Sequence, residues 1–298
     1  MKPYRNILVG VNYTPASELA LKQAALIAQK SGTRLRAFHA IRPIEINEFV
    51  NFYGIDRKVM TSGAQSSLEA FVERALGQNN NVSCLVSEGV PHHELCTLAN
   101  ETGADLLVIG AYPYPEDQRK AGQFAIKCLR FATMPVLLVR EQSNHSFARL
   151  TACVDFSKST NPILQHTSRM NWDYDQKVEI VHASSPPWLR PARLRYQTEV
   201  FENREQKEQY HEILEGQLSS IKNSAPDSFQ TTPSTIALEH EDPAFALIDH
   251  LAKAHSGLAI IGRSGAGFKG LKTDLLGGTA EIVIRHAHCS VLIVPIVP

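Results

Sequence analysis

Short apolar runs rich in β-branched residues recur along the chain, each bounded by glycine, proline or polar residues. In the first part such runs predict strands over 7–11, 34–40, 82–87, 105–110 and 136–139. Between them the apolar positions change to helical spacing. Leu19, Ala24, Ile27 and Ala28 form one face of a helix over 17–29, and Leu68, Phe71, Val72, Ala75 and Leu76 one face of a helix over 64–77. Further helices are expected over 91–102 and 121–132, with a long excursion between the second strand and the helix at 64. Apolar runs without polar alternation suit strands buried on both faces of a parallel sheet. Right-handed crossover helices make a doubly wound α/β sheet the expected architecture, with ligands at the carboxyl ends of the strands.

The pattern then repeats. Ile7-Leu-Val-Gly-Val-Asn12 matches Leu150-Thr-Ala-Cys-Val-Asp155, and the run ending at His39-Ala40 matches the one ending at His182-Ala183, both 143 residues on. Pro91 precedes Gly110 by 19 residues, as Pro243 precedes Gly262. The last run, Val136-Leu-Leu-Val139, matches Val291-Leu-Ile-Val294. A chain of 298 residues exceeds the usual single-core size. Two tandem five-stranded domains, 1–142 and 146–298, are therefore expected, joined near residues 141–145. The second copy carries extra residues between its second and fourth strands.

The copies differ where chemistry would sit. In the second, Leu258-Ala-Ile-Ile-Gly262 runs into Arg263-Ser264-Gly265-Ala-Gly267-Phe-Lys-Gly270, followed by Gly277-Gly278-Thr279 at the start of a helical pattern. Glycines let backbone approach an anion without Cβ obstruction, and the first N–H groups of a helix favour negative charge. Taken alone the pattern also fits an ordinary tight turn. It is neither a phosphate loop ending in Gly-Lys-Ser/Thr nor a Rossmann fingerprint. In the first copy Gly110 is followed by Ala-Tyr-Pro113-Tyr-Pro115, and proline lacks the N–H a phosphate cradle needs. Phe124 stands where Thr279 does, and Asn12 where Asp155 does.

Composition narrows the classes. Thirty basic residues balance thirty acidic ones, so neither nucleic acid nor an anionic surface is an expected partner. No apolar run is long enough for a membrane span and the N-terminus lacks a signal-peptide core, so no membrane association and a cytoplasmic location are expected. Five scattered cysteines suit reduced thiols better than a disulfide framework. His92 with Cys96, and His286 with His288 and Cys289, have metal-like residue types but give incomplete ligand sets, so no metal site is assigned. Trp188 and Tyr196 interleave with Arg190, Arg193 and Arg195 in the inserted segment, which reads as a surface loop, a lid or a protein contact. It leads into a helix whose Tyr210, Ile213, Leu214, Leu218 and Ile221 are expected to be buried.

Taken in order, Asp155-Phe-Ser157, Val181-His182-Ala183, the Pro243 segment entering Ala259-Ile-Ile-Gly262, and Gly262-x2-Gly265 through Leu276-Gly277-x-Thr279-Ala-Glu281 to Ser290-Val-Leu-Ile-Val294 resemble the universal stress protein family. The resemblance covers nearly the whole chain as a tandem pair. It implies an adenine-nucleotide alpha hydrolase-like fold with strand order 3-2-1-4-5, in which the last strands of two domains often pair. It further implies that Asp155 contacts the adenosine moiety, flanked by backbone at Cys153, Val154 and Ala183. Gly262, Arg263, Ser264 and Gly265 would line the ribose and phosphates, and Gly277, Gly278 and Thr279 would cap the phosphate tail. The ligand implied is ATP or a related adenine nucleotide, with magnesium if a triphosphate. Here eleven residues separate Gly265 from Gly277, where the family pattern has nine. The expected function is a stress-response binding and regulatory module without catalytic residues. A scaffold for another small ligand or a protein partner, and a slow nucleotide hydrolase, are the alternatives. The first copy is expected to bind no nucleotide and to pair with the second through the final strands, 136–139 with 291–294, since an apolar edge strand invites association. Homodimerisation is left open.

Overall fold

In a computed structural model of the chain, residues 3–78, 80–111, 118–140, 147–189, 204–264 and 276–295 are described. Residues 2–142 and 143–296 form two compact units.

In the first unit the apolar runs are five strands, β1 (Asn6–Gly10), β2 (Arg34–Ile41), β3 (Val82–Glu88), β4 (Leu106–Gly110) and β5 (Val136–Val139). They are all parallel and ordered β3-β2-β1-β4-β5. The helices among the described residues of this unit are α1 (Pro15–Ser31), α2 (Pro43–Tyr53), α3 (Arg57–Leu76), α4 (Pro91–Glu101) and α5 (Gln118–Phe131). Leu106, Leu107, Val108 and Ile109 are no more than 1% exposed, as a central strand covered on both faces requires.

Local sequence fixes the helix ends. Thr14 caps α1, its hydroxyl accepting from the Ser17 N–H at 3.3 Å while the Ser17 hydroxyl accepts from the Thr14 N–H at 3.1 Å. Pro15 occupies the first turn, and Gly32 ends the helix at φ 62°, its N–H reaching the Ala28 and Gln29 carbonyls. Ala20, Leu21, Ala24, Ile27 and Ala28 make the buried face, so the expected stripe is one residue off at Leu19.

The excursion after β2 is ordered, which the periodicity did not show. It holds α2 and the first turns of α3, although Pro43 and Gly54 mark the ends of α2 plainly. Ile46 is the buried residue of α2, whereas Ile44, Phe49, Val50, Phe52 and Tyr53 are exposed. A helix apolar on several sides offers no single stripe to detect.

The second unit has the same design. Its strands β6 (Arg149–Val154), β7 (Lys177–Ser184), β8 (Ser234–Glu239), β9 (Leu258–Gly262) and β10 (Ser290–Val294) are parallel and ordered β8-β7-β6-β9-β10. In repeat terms both sheets run 3-2-1-4-5, as the family resemblance implied. Helices α6 (Thr160–Met170), α7 (Arg204–Asn223), α8 (Pro243–Lys253) and α9 (Gly278–His286) cover the faces. Leu214 and Leu218 of α7 are buried as expected, but Ile213 is 64% exposed and the apolar face is narrower than its sequence suggests. Tyr210 donates its hydroxyl to Ser184 Oγ at 2.8 Å. Most of the Arg/Trp segment lies outside the described residues, apart from a short 3-10 turn at Pro187–Leu189.

Several polar groups inside this unit are paired. Arg149 and His250 both meet the Glu179 carboxylate, and Gln176 donates to the Phe147 and Met170 carbonyls at 3.1 and 3.0 Å.

Candidate functional site

Each strand of a doubly wound sheet ends at the same edge, so chain direction alone gathers the strand-end residues of the second unit. β6 ends in Val154 and leads to Asp155. Phe156 then turns the chain with φ 57°, a left-handed conformation uncommon for a bulky side chain. The turn is held by the carboxylate itself. Asp155 Oδ1 accepts from the Ser157 N–H at 3.2 Å, the Ser157 hydroxyl at 2.6 Å and the Ser159 hydroxyl at 3.1 Å. One carboxylate oxygen is thereby fixed at the end of the sheet, directly ahead of α6.

From β7, His182 Nδ1 bonds the Val154 carbonyl at 2.9 Å, and its ring packs against Phe156 with centroids 4.2 Å apart. Burial holds the His182 pKa below its ordinary value, outweighing the opposing effects of the Val154 carbonyl and Asp155. The imidazole is then a neutral ring braced between two strand ends.

From β9, Gly262 comes so close to α6 that a Cβ there would meet Ser159 Cβ at 2.9 Å. The chain then turns between two backbone bonds. The Arg263 N–H donates to the Val294 carbonyl and the Gly277 N–H to the Arg263 carbonyl, each at 2.8 Å. Gly277 is thereby fixed as the cap residue of α9, with φ −66° and ψ 143°. The first intrahelical bond of α9 runs from the Glu281 N–H to the Gly277 carbonyl. The N–H groups of Gly278, Thr279 and Ala280 therefore remain without intrahelical partners, at the positive end of the helix dipole.

These parts surround a cavity of about 330 Å³. Its lining includes Asp155, Ala183, Gly262, Ser264, Gly277, Gly278 and Thr279, with Cys153 and Val154 at its floor. The structure thus brings together the sequence-predicted residues with two differences. Gly265 lies outside the described residues, together with Gly267 and Gly270. Arg263 is only 8% exposed and does not line the cavity, so its part here is the pair of backbone bonds. Sequence reasoning missed Ser159 and the apolar wall of Ile163, Pro243, Leu247 and Ile261. Ser159 could have been suspected, because hydroxyls two and four residues after a strand-end aspartate suit a turn built on its carboxylate.

The first unit repeats much of this frame. Tyr13 has φ 60°, His39 Nδ1 bonds the Val11 carbonyl at 2.9 Å, and the two rings lie 4.6 Å apart. A Cβ on Gly110 would fall 2.4 Å from the Ala16 carbonyl oxygen. A cavity of about 530 Å³ remains at this strand edge, with Phe124 on its wall and Asn12 in place of an acid. With Asn12 and Phe124 in its lining, the first unit keeps an open space at this edge. Pro113 and Pro115 lie outside the described residues.

Among the described residues, no cluster of three or more His, Cys, Asp or Glu side chains is placed to hold a metal. No described helix is long and apolar enough to cross a membrane.

The universal stress protein family model matches the chain twice, over residues 3–140 and 146–295. No curated protein sequence matches it. Among solved structures, a universal stress protein from Archaeoglobus fulgidus DSM 4304 is 15% identical with a TM-score of 0.65, covering 97% of this chain and 98% of that one. A functionally unknown protein from Pseudomonas aeruginosa PAO1 is 19% identical with a TM-score of 0.64, covering 99% of this chain and 94% of that one. At these identities the likeness is one of fold.

Proposed function

Because the chain belongs to the universal stress protein family, we propose that its second unit is an adenine-nucleotide-binding module that acts by binding rather than by turnover. The observation that carries this reading is the convergence of three N–H groups of α9, unpartnered within the helix, with the anchored Asp155 on one cavity at the carboxyl edge of the sheet. A phosphate suits the N–H groups, and an adenosine donor suits the carboxylate. The two ends of the cavity thus ask for opposite chemistry, which a nucleotide supplies in one molecule.

The volume of about 330 Å³ lies at the small end of ligand cavities. It accommodates the base and ribose between the Val154 and Ala183 strand ends, with the phosphates directed at Gly277, Gly278 and Thr279. A triphosphate would bring magnesium with it, since phosphate oxygens are that ion's usual ligands. The intended role is then regulatory, with nucleotide occupancy as the signal.

Hydrolysis asks for more than this site offers. Phosphoryl transfer needs a positioned water and neutralised leaving charge. Asp155 already has one oxygen committed to three donors. Incubation with ATP and magnesium should give no turnover above background. ATPase activity that copurifies with the protein and disappears in Asp155→Asn would contradict the proposal.

Native mass spectrometry of the purified protein tests the binding directly. A retained adenylate, or a one-to-one adduct on adding ATP and magnesium, is expected. Failure to bind any adenine nucleotide would favour the scaffold reading of the same fold.

A further inference from the structure

We propose that the first unit carries a second ligand site of different chemistry, which takes an uncharged aromatic molecule bearing an N–H or O–H donor. The site is the cavity of about 530 Å³ at the carboxyl ends of β1, β2 and β4. This inference does not rest on nucleotide binding in the second unit.

Three observations select the ligand class. Part of the lining is apolar, with Phe38, Leu95 and Ile109 buried in the core beneath the cavity. The lining is mixed, with Asn12, Ser17, His39, Arg42 and Glu45 beside the apolar residues, and its apolar part favours a compact hydrophobic body. The walls also present aromatic surface, with Tyr13 packed on His39 and Phe124 on the α5 side. Planar rings pack well against such faces.

The polar groups at the rim suit a neutral donor rather than an anion. Arg42, the obvious cation, is already engaged. Its Nε donates to Glu45 Oε1 at 2.9 Å and its backbone N–H to Glu45 Oε2 at 3.1 Å, so the pair is electrically self-contained. Asn12 replaces the acid of the other unit. His39 donates Nδ1–H to the Val11 carbonyl, a tautomer whose lone pair lies on Nε2, and Nε2 has no hydrogen-bond partner among the described residues. A donor on the ligand would satisfy it.

The test uses full-length protein and N-phenyl-1-naphthylamine, an uncharged aromatic amine whose fluorescence rises in apolar surroundings. One saturable site per chain is expected. Ala40→Phe, which narrows the cavity from β2, should weaken binding at least tenfold, and His39→Phe, which keeps the ring but removes the acceptor, about fivefold. Two controls locate the probe. Ala183→Phe changes the equivalent position of the second unit, and Phe52→Ser changes a ring that is 83% exposed on α2. Both should leave probe affinity within twofold. Circular dichroism establishes that each variant is folded, and His39→Phe carries the test if Ala40→Phe is not. Absence of saturable binding, affinity unchanged in the folded first-unit variants, or loss confined to Ala183→Phe or Phe52→Ser would each overturn the proposal.

Discussion

Gly262 and Gly278 show how differently two glycines of one site are constrained. At Gly262 a Cβ would meet Ser159 at 2.9 Å, while at Gly278 nothing lies within 4 Å. Gly262→Ala should therefore cost about 1–3 kcal/mol through overpacking. Gly278→Ala should be nearly neutral. Thermal unfolding of the two variants checks this, and equal midpoints would show that α6 yields freely. A second residue-scale prediction concerns acid. Burial, with a lesser effect from Arg169, pushes the His166 imidazole down to about 3. The unfolded chain takes up that proton near the ordinary histidine value of about 6.5. As pH falls from about 6.5 towards 3, the unfolded state binds a proton the native state refuses, and stability is lost across that window. His182, lowered in the same direction, adds to the effect. His166→Gln should flatten the decline in melting temperature between pH 7 and 4, and a variant as acid-sensitive as the parent would refute the assignment. Residues whose chemistry is local were legible in advance. Gly277 stood out by type and spacing and Asp155 through the family resemblance, whereas Ser159 was missed although its spacing from Asp155 suits a turn built on that carboxylate.

At the scale of elements, termini proved easier to read than faces. Thr14, Pro15 and Gly32 announce α1, and the structure shows each in its capping role. Gly32 sits at φ 62°, a conformation strained for any residue with a Cβ. Gly32→Ala should destabilise by about 1 kcal/mol, and Thr14→Ala by a similar amount through loss of the cap. Chemical denaturation would resolve both, and no change in either would remove capping as the reason α1 begins and ends where it does. Faces were less legible, because burial depends on what the rest of the chain brings alongside. Ile213 keeps helical spacing with Tyr210 and Ile221 yet remains exposed, and α2 has marked ends but no one-sided stripe. The strands were read well for the opposite reason. A run buried on both faces needs no partner's pattern to be recognised, as Leu106–Gly110 and Leu258–Gly262 illustrate.

Across the whole molecule, duplication set a common frame and substitution changed what each copy can hold. The strand order, the left-handed aromatic residue, the histidine bonded to a strand-end carbonyl and the close-packed glycine all recur in both units. The acid and the glycine-rich sequence belong to the second unit alone. This asymmetry predicts one nucleotide per chain. Internal repeats made the frame visible in sequence, since matched blocks at fixed order imply matched folds. The persistence of a cavity in the first unit could not be seen there, because loss of a motif does not reveal whether side chains fill the space.

Isothermal titration with ATP and magnesium, comparing the parent with Gly278→Ala and Gly278→Pro, tests the central claim most directly. Gly278 is the first residue of α9, a position that tolerates proline, and Gly277 before it already has the extended ψ of 143° that proline demands. Proline thus removes one N–H from the anion site without altering the helix. Loss of a hydrogen bond to a charged group is worth about 1.5–3 kcal/mol, so affinity should fall about tenfold or more. The account predicts one site per chain in the parent, retained in Gly278→Ala and weakened by that factor in Gly278→Pro. Two equal sites per chain, or parental affinity in the proline variant, would contradict it.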